Sequence, residues 1–295
     1  MAQRDDLASA VLDSLAETRR RAVGQWRVLL LLRRFATQRP IPEALPVPDR
    51  AASVTRRLVD RGDFEPVRGL RHVYIVTSPY AETIPLSDEQ LIQEANPLSY
   101  FSHLTALAHH GLTDVVPNEI YATGPSSDTT RLPLGTSADD WFEEAFPVGQ
   151  RPKKLGKLKV VWSRATDERG VEVAFSQGAS IYVTNVERTL IDILRDPPAA
   201  RGLPTVLRAW RQASETWNLP RLLEYTGDGP LMRQRVGYIV ERLGQSSPVL
   251  EEWKKRLQRG GSLKMLSAEP YSSVFSAEWN LSLNVPESVL GILDD

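Results

Sequence analysis

Cysteine is absent from all 295 residues. That absence excludes a disulfide framework, a thiolate zinc site and a cysteine nucleophile, and it makes a reducing cytoplasm the expected location. Long apolar runs are absent as well: the longest covers residues 28–32, whereas a transmembrane helix needs about 20 apolar residues. The first residues include two acids and no apolar core of a signal peptide. We therefore expect a soluble, cytoplasmic protein.

Sequence signatures of common enzymes are missing too. The chain has no phosphate-binding G-x-x-x-x-G-K-S/T, no G-x-S-x-G nucleophile elbow and no dinucleotide-binding G-x-G-x-x-G. Glu172 lies in a predicted strand, but no aspartate or lysine stands near it at the spacing of a nuclease site. We therefore expect a protein that is not an enzyme and that uses no cofactor and no metal.

The composition, 41% hydrophobic and 25% charged, is that of an ordinary folded protein, and the length exceeds that of one usual domain. Charge is divided unevenly along the chain. Residues 1–85 contain 14 arginines, no lysine and 10 acidic residues, a net charge of +4, and residues 86–295 carry a net charge of −5. We predict a basic N-terminal domain over residues 1–85, suited to polyanions, and a second domain over residues 86–295.

The N-terminal domain is predicted to contain three helices followed by a hairpin. The predicted elements are helices over residues 5–22, 25–37 and 50–62 and strands over residues 64–67 and 73–76. A proline-rich connector at 40–48 separates the second helix from the third, which Asp49 caps. The inward stripe of the third helix consists of Ala51, Val54, Leu58 and Val59.

Three helices and a basic hairpin are typical of a winged helix-turn-helix that binds DNA. A helix fits the major groove, and arginines at a hairpin tip reach the adjacent backbone or minor groove. The predicted DNA-binding residues are Arg50, Ser53, Thr55, Arg56, Arg57 and Arg61 on the third helix and Arg68 and Arg71 on the wing. The alternative is a protein-interaction module with a solvated arginine face, because Asp60 and Asp63 dilute the positive charge.

The second domain is predicted to be mixed α/β, with helices gathered towards its C-terminal side. Ser87 and Gln90 form a predicted capping box, Gly111 stops a helix over residues 99–110, and Asn185 caps a helix over residues 186–195. The other predicted elements are strands over residues 119–123, 158–162, 171–175 and 180–183, helices over residues 205–217, 219–225, 231–243 and 248–258, extended pieces over residues 263–267 and 278–284, and a long surface loop over residues 125–157.

Two segments of this domain carry a family resemblance. HLTALAHHGLTDVVPNEIYATG (103–124) and YVTNVERTLIDILRDP (182–197) resemble the two signatures of AbiE-type antitoxins, and RVGYIVERLG (235–244) is similar to the family's helical tail. The motif residues singled out as site residues are His110, Gly111, Leu112, Thr113, Pro117, Glu187, Arg188 and Asp192. The chain departs from the family pattern in its long insertion and in Arg71-His72 of the wing, where many members have a glycine.

The resemblance implies a two-domain antitoxin of a bacterial toxin–antitoxin operon, of the kind tied to phage resistance by abortive infection. In such systems the winged helix represses the operon by binding repeats in double-stranded promoter DNA. The C-terminal domain opposes a nucleotidyltransferase-fold toxin encoded next to it. A type IV classification implies neutralisation without a stable complex, although some relatives bind their toxins directly. The implied partners are therefore promoter DNA and the toxin, with no membrane.

Several residues invite a different interpretation. His103, His109 and His110 raise the alternative of a metal site, but His103 and His109 would lie about 120° apart around a helix, and His110 is better suited to meet a carbonyl at the helix end. Glu187, Arg188 and Asp192 could be catalytic, but Arg188 and Asp192 have the spacing of a helical ion pair. Trp210 and Trp217 could form a partner-binding patch, although core packing is the simpler interpretation.

Two rival functions stay open beside the antitoxin. One is a ligand-responsive winged-helix transcription factor without a toxin partner. The other is a nuclease-like enzyme guided by a DNA-binding head, for which the acidic and lysine residues of a nuclease site are missing.

Overall fold

The computed structural model describes residues 2–38, 47–164, 167–257 and 261–294. The described residues form helices and several sheets, so the predicted mixed α/β class is confirmed. They belong to two compact units: the first contains Met1–Phe101, Asn118–Glu168 and Glu172–Val183, and the second contains the remaining residues. The predicted division after residue 85 falls inside the first unit. None of the described helices is long and apolar enough to cross a membrane.

The first unit begins with three helices and a three-stranded antiparallel sheet. The helices are α1 (Ala2–Glu17), α2 (Gln25–Gln38) and α3 (Val47–Asp60), and the strands are β1 (Ala22–Gly24), β2 (Phe64–Pro66) and β3 (Val73–Val76). Strand β3 pairs with both β1 and β2, so the predicted hairpin is confirmed. The prediction of one helix over residues 5–22 is wrong at its end, because Arg19 takes a left-handed conformation with φ 48° and the chain continues as β1.

An apolar core joins these helices to the small sheet. It contains Ala8, Val11, Leu15, Val23, Val28, Leu32, Ala51, Val54, Leu58, Phe64 and Val76. The predicted inward stripe of α3 is therefore confirmed. The helix begins at Val47, two residues before its predicted cap Asp49, which lies instead in the first turn, where a carboxylate interacts favourably with the positive end of the helix dipole. Residues 40–46 of the predicted connector lie outside the described residues.

The rest of the first unit is built on a helix and a six-stranded mixed sheet. Helix α4 (Asp88–Ala95) begins at the predicted cap, with Ser87 Oγ accepting a hydrogen bond from the Gln90 backbone at 3.3 Å. Only this half of the predicted capping box is confirmed, and the Gln90 side-chain amide donates to the carbonyls of Ser176 and Gln177. The strands are β4 (Tyr100–Phe101), β5 (Glu119–Gly124), β6 (Lys154–Leu155), β7 (Leu158–Arg164), β8 (Val171–Ser176) and β9 (Ala179–Thr184), in the order β6-β7-β5-β4-β9-β8. Strand β5 runs parallel to β7 and antiparallel to β4.

The second unit is mainly helical. Its helices are α5 (His103–His109), α6 (Val186–Arg195), α7 (Leu203–Ala213), α8 (Leu219–Thr226), α9 (Pro230–Arg242), α10 (Pro248–Lys255) and α11 (Glu287–Leu290), and its strands are β10 (Leu263–Lys264), β11 (Phe275–Ser276) and β12 (Leu281–Ser282). The predicted helix over residues 99–110 is too long, because residues 100 and 101 form strand β4. Strand β11 and helix α11 were not predicted from the sequence.

Candidate nucleic-acid interface

The outer side of α3 carries most of the predicted DNA-binding residues. Those with exposed or partly exposed side chains are Arg50, Ser53, Arg56, Arg57 and Arg61. Arg56 is exposed in the middle of the helix, and Arg61 follows its last residue and forms an ion pair with Asp63 at 2.9 Å. The helix therefore presents an arginine-rich face to solvent, of which Arg56 is the central residue.

Thr55 is a correction to the predicted interface. Its side chain is 3% exposed, because it lies four residues after Ala51 and three before Leu58, on the same inward side of the helix. Its hydroxyl is buried without a hydrogen-bond partner among the described residues. In this conformation Thr55 cannot contact DNA, and it belongs to the packing of α3.

The hairpin between β2 and β3 exposes both predicted wing arginines. Arg68 and Arg71 lie in its tip, and Leu70 between them is buried and anchors the loop. The tip reverses direction through Gly69, with φ 89°, and through His72, with φ 56°. Left-handed backbone is unusual for a histidine, so His72 takes the conformation for which a glycine is better suited. The turn at Arg71-His72 is thus tight although it contains no glycine at these two positions.

Part of the basic excess of the N-terminal residues is neutralised inside the first unit. Glu94, on α4, is 5% exposed and accepts hydrogen bonds from Arg27 Nη2 at 2.6 Å, from Arg20 Nη1 at 3.2 Å and from the Gly24 backbone at 2.9 Å. The indole of Trp26 donates to the Glu94 carbonyl at 3.0 Å. One buried carboxylate therefore ties α2 and β1 to α4, across the sequence position at which a domain boundary was predicted.

The segment over residues 125–157 supplies further acids to α2. Arg34 makes a two-point contact with Asp140, with Nη2 at 2.6 Å and Nε at 2.8 Å, and Arg33 pairs with Glu144 at 2.7 Å. The Arg34 guanidinium lowers the pKa of Asp140 to about 2. As predicted, residues 125–153 of this segment form a loop, apart from a short 3-10 helix (Ala138–Trp141), and these ion pairs attach the loop to α2. Of the predicted DNA-binding arginines, Arg56, Arg68 and Arg71 keep exposed side chains.

The family-motif residues lie together in the second unit. His110 Nε2 is 2.7 Å from the carbonyl oxygen of Thr184, so it must donate its proton there, and this contact joins the first motif to the second. Gly111 ends α5 with φ 67°, and Leu112 behind it is buried. Thr113 accepts from the Val115 backbone at 3.1 Å, and Pro117, half-buried, ends the motif. His110 therefore meets a carbonyl, but that of Thr184 at the end of β9 and not, as predicted, one at the end of its own helix.

The second motif forms the start of α6. Asn185 Oδ1 accepts from the Arg188 backbone at 3.0 Å, as the predicted cap requires, and Arg188 Nε donates to Asp192 at 2.8 Å. Glu187 accepts from the Asn218 backbone at 2.7 Å. Glu187, Arg188 and Asp192 are each about 5% exposed, so they hold the unit together and present no open surface. The predicted helical ion pair is confirmed.

The remaining candidate residues are Trp210, Trp217 and His103, and their contacts indicate structural roles. Trp210 is fully buried, so the core-packing interpretation is confirmed for it. Trp217 lies beyond the end of α7 and is partly exposed, and the two rings meet edge-to-face at 5.6 Å. His103 is partly buried, and this burial lowers its pKa, although Asp192 acts in the opposite direction. Within the described ranges, no group of three histidine or carboxylate side chains is arranged to hold a metal ion.

Comparison with known proteins identifies a similar fold. No family model and no curated protein matches the chain. Among solved structures, it is similar to the crystal structure of the Rv2827c protein from Mycobacterium tuberculosis, with a TM-score of 0.52 and 16% identity over 98% of this chain and 95% of that one. At that identity the similarity concerns the fold alone, which nearly the whole length of both chains shares.

Proposed function

We propose that the protein is an AbiE-type antitoxin that represses its own operon by binding promoter DNA through an N-terminal winged helix-turn-helix. The observation that carries the DNA-binding half is the arrangement of the first unit. Three helices pack on a β1-β3-β2 sheet, with Arg56 exposed on α3 and Arg68 and Arg71 exposed at the hairpin tip. This is the pairing of recognition helix and basic wing that reads a major groove and the neighbouring backbone.

The antitoxin half of the proposal rests on the two sequence motifs and on their contact. His110, from the first motif, meets the Thr184 carbonyl at the start of the second. Two segments whose contacting residues are 74 positions apart therefore build one packed region, as parts of one family scaffold would. The cognate toxin is expected to be a nucleotidyltransferase-fold protein encoded beside this gene, and the antitoxin itself has no catalytic role.

The DNA-binding proposal is tested by titrating the full chain into a labelled fragment from upstream of its own gene. Replacing Arg56→Ala together with Arg57→Ala should abolish specific binding, because two cations of the helix face are lost while the buried stripe of α3 is retained. Arg208→Ala, an exposed arginine on α7, is the matched control and should leave affinity unchanged. Wild-type affinity in the double variant would contradict the proposal.

The antitoxin role is tested by co-expression with the adjacent gene. The full chain should rescue growth, and the Arg56→Ala, Arg57→Ala variant should still rescue it while losing repression of a promoter reporter. The full chain is used because residues 86–295 alone would lose the contacts of Glu94 with Arg20 and Arg27. Absence of rescue by the wild type, or cleavage of plasmid by the pure protein with Mg²⁺, would contradict the antitoxin assignment.

A specific observation favours the ligand-responsive regulator as second candidate. A cavity of about 520 Å³ in the first unit is lined by Trp26, Leu29, Arg71, Val73 and Pro147, among others, next to the wing. Its size and largely apolar lining suit a small organic molecule. With anilinonaphthalene sulfonate as probe, a change in operator affinity of about fivefold or more would favour this candidate. Dye binding without any effect on operator affinity would count against it.

A further inference from the structure

A second basic hairpin stands at the edge of the large sheet. Four of the seven lysines of the chain lie within residues 153–159, and residues 151–164 contain six basic residues and no acid. Strand β6 pairs antiparallel with β7, Leu155 is buried and anchors the pair, and the side chains of Lys153, Lys154 and Lys157 are exposed. The hairpin thus holds its cations in solvent on a fixed backbone.

The charge pattern of this hairpin is unfavourable for folding alone. Lys154 lies directly opposite Lys159 in the register, and like charges in that position repel each other. Lys159 pairs with Glu119 at 2.9 Å, which relieves only one of the two. Because this cluster of cations disfavours the local fold, it indicates that an anion from outside the chain binds there.

The hairpin of β6 and β7, which we call the lysine hairpin, lies beside the wing, the hairpin of β2 and β3. Gln150, which precedes it, accepts from the Arg71 backbone N–H at 2.8 Å and donates to the Arg71 carbonyl. A Cβ built on Gly69 would lie 3.9 Å from the carbonyl oxygen of Lys154, so the two hairpins lie close together at this point. We call the exposed side chains of the two tips the basic strip; it consists of Arg68, Arg71, Lys153, Lys154 and Lys157.

Gly149 and Gln150, which connect the lysine hairpin to the wing through the contacts with Arg71, are themselves held in place. The Gln150 backbone N–H donates to the carbonyl oxygen of Ala95 at 2.8 Å, and Asn96 Nδ2 donates to the Gln150 carbonyl at 3.0 Å. Gly149 leaves no room for a side chain, since an added Cβ would lie 2.2 Å from Asn96 Oδ1. The basic strip is therefore a fixed surface whose two halves keep their spacing.

We propose that the lysine half of the basic strip binds the phosphate backbone of DNA beside the wing, and so extends the contact made by one chain. The proposal rests on the proposed function and adds a binding surface to it. Lysine is a compact point charge that suits a phosphate, and contacts to phosphates carry no sequence information directly. The lysine half should therefore add affinity equally on every sequence, whereas α3 provides the specificity.

The test is the salt dependence of DNA binding by the full chain. We expect the variant Lys153→Gln, Lys154→Gln, Lys157→Gln to reduce the slope of log K against log salt concentration by about 2.7, since each phosphate contact contributes about 0.9. The wild type should then lose about 40-fold more affinity than the variant between 50 and 200 mM salt. The ratio of operator to scrambled-DNA affinity should stay unchanged. The control is Arg195→Gln, Arg208→Gln, Lys255→Gln, which removes three exposed charges elsewhere and should keep the wild-type slope.

The outcomes separate this proposal from the proposed function. If the wild type binds DNA and Arg56→Ala with Arg57→Ala abolishes it, but the lysine variant keeps the wild-type slope, the lysine proposal is overturned and the proposed function stands. If the lysine variant keeps that slope but fails to rescue growth against the toxin, the surface belongs to a protein partner, and the proposal is likewise overturned. If the wild type binds no DNA at any salt concentration, both fail. Circular dichroism of each variant identifies loss of folding.

Discussion

Replacing Glu94→Gln removes the negative charge that two buried or half-buried arginines share. The carboxylate accepts from Arg27, Arg20 and the Gly24 backbone, and both Glu94 and Arg27 are about 5% exposed. Glutamine keeps the shape of the side chain, but its amide is neutral. Its NH₂ group can also point towards the guanidinium groups of Arg20 and Arg27. Two cations then remain close together without the anion between them.

The magnitude follows from the burial of the pair. Removing one partner of a buried ion pair costs about 3–5 kcal/mol. The lower end is expected, because the Arg20 side chain is 22% exposed and water can screen it. A loss of about 3 kcal/mol in the free energy of unfolding corresponds to a fall in Tm of about 6–12 °C for a unit of this size.

The assay is urea unfolding followed by circular dichroism, with Glu82→Gln, an exposed acid nearby, as the control within about 0.5 kcal/mol of wild type. A double-mutant cycle with Arg27→Gln should give a coupling energy above about 1.5 kcal/mol. A loss below about 1 kcal/mol for Glu94→Gln, or a coupling energy near zero, would refute the view that this carboxylate ties α2 to α4.

Three further predictions concern single side chains. Thr55→Val should stabilise the protein by about 1 kcal/mol and leave operator affinity unchanged, since it removes a buried hydroxyl without a partner among the described residues. Gly237→Ala should destabilise it, although alanine normally favours a helix, because the new Cβ would lie 2.1 Å from the buried ring of Trp279. Asp140 has a lowered pKa in the folded state because of Arg34, so its stabilisation, about 1 kcal/mol after screening by solvent, is present above pH 4 and is lost as the pH falls towards 2; Asp140→Asn should remove this part of the pH dependence.

Each of these has a decisive measurement. Reduced operator affinity in Thr55→Val would return that residue to the interface. A Gly237→Ala variant as stable as the wild type in urea would mean that the Trp279 ring moves aside without cost. An acid unfolding curve that is the same for Asp140→Asn and wild type between pH 4 and pH 2 would remove any role of the Arg34 ion pair in acid stability.

The sequence by itself determined the elements that carry strong local signals. The helix over residues 186–195 has an asparagine cap and an apolar period of 3.6, and its bounds and cap are confirmed. The β2–β3 hairpin and the inward stripe of α3 were predictable for the same reason. Such features depend on hydrogen bonds and apolar faces formed between residues close in the chain.

Tertiary structure decided whatever depends on partners distant in sequence. Strands β1 and β4, of three and two residues, are too short to show a period, and only their neighbours in the sheets stabilise them. No local pattern indicates that Glu94 neutralises Arg20 and Arg27, since the partners are some 70 residues apart. The lysine cluster is visible in the sequence, but its contact with the wing depends on Gln150 meeting the backbone of Arg71. Electrostatic and van der Waals contacts act through space, so the composition of the candidate interface was set by folding.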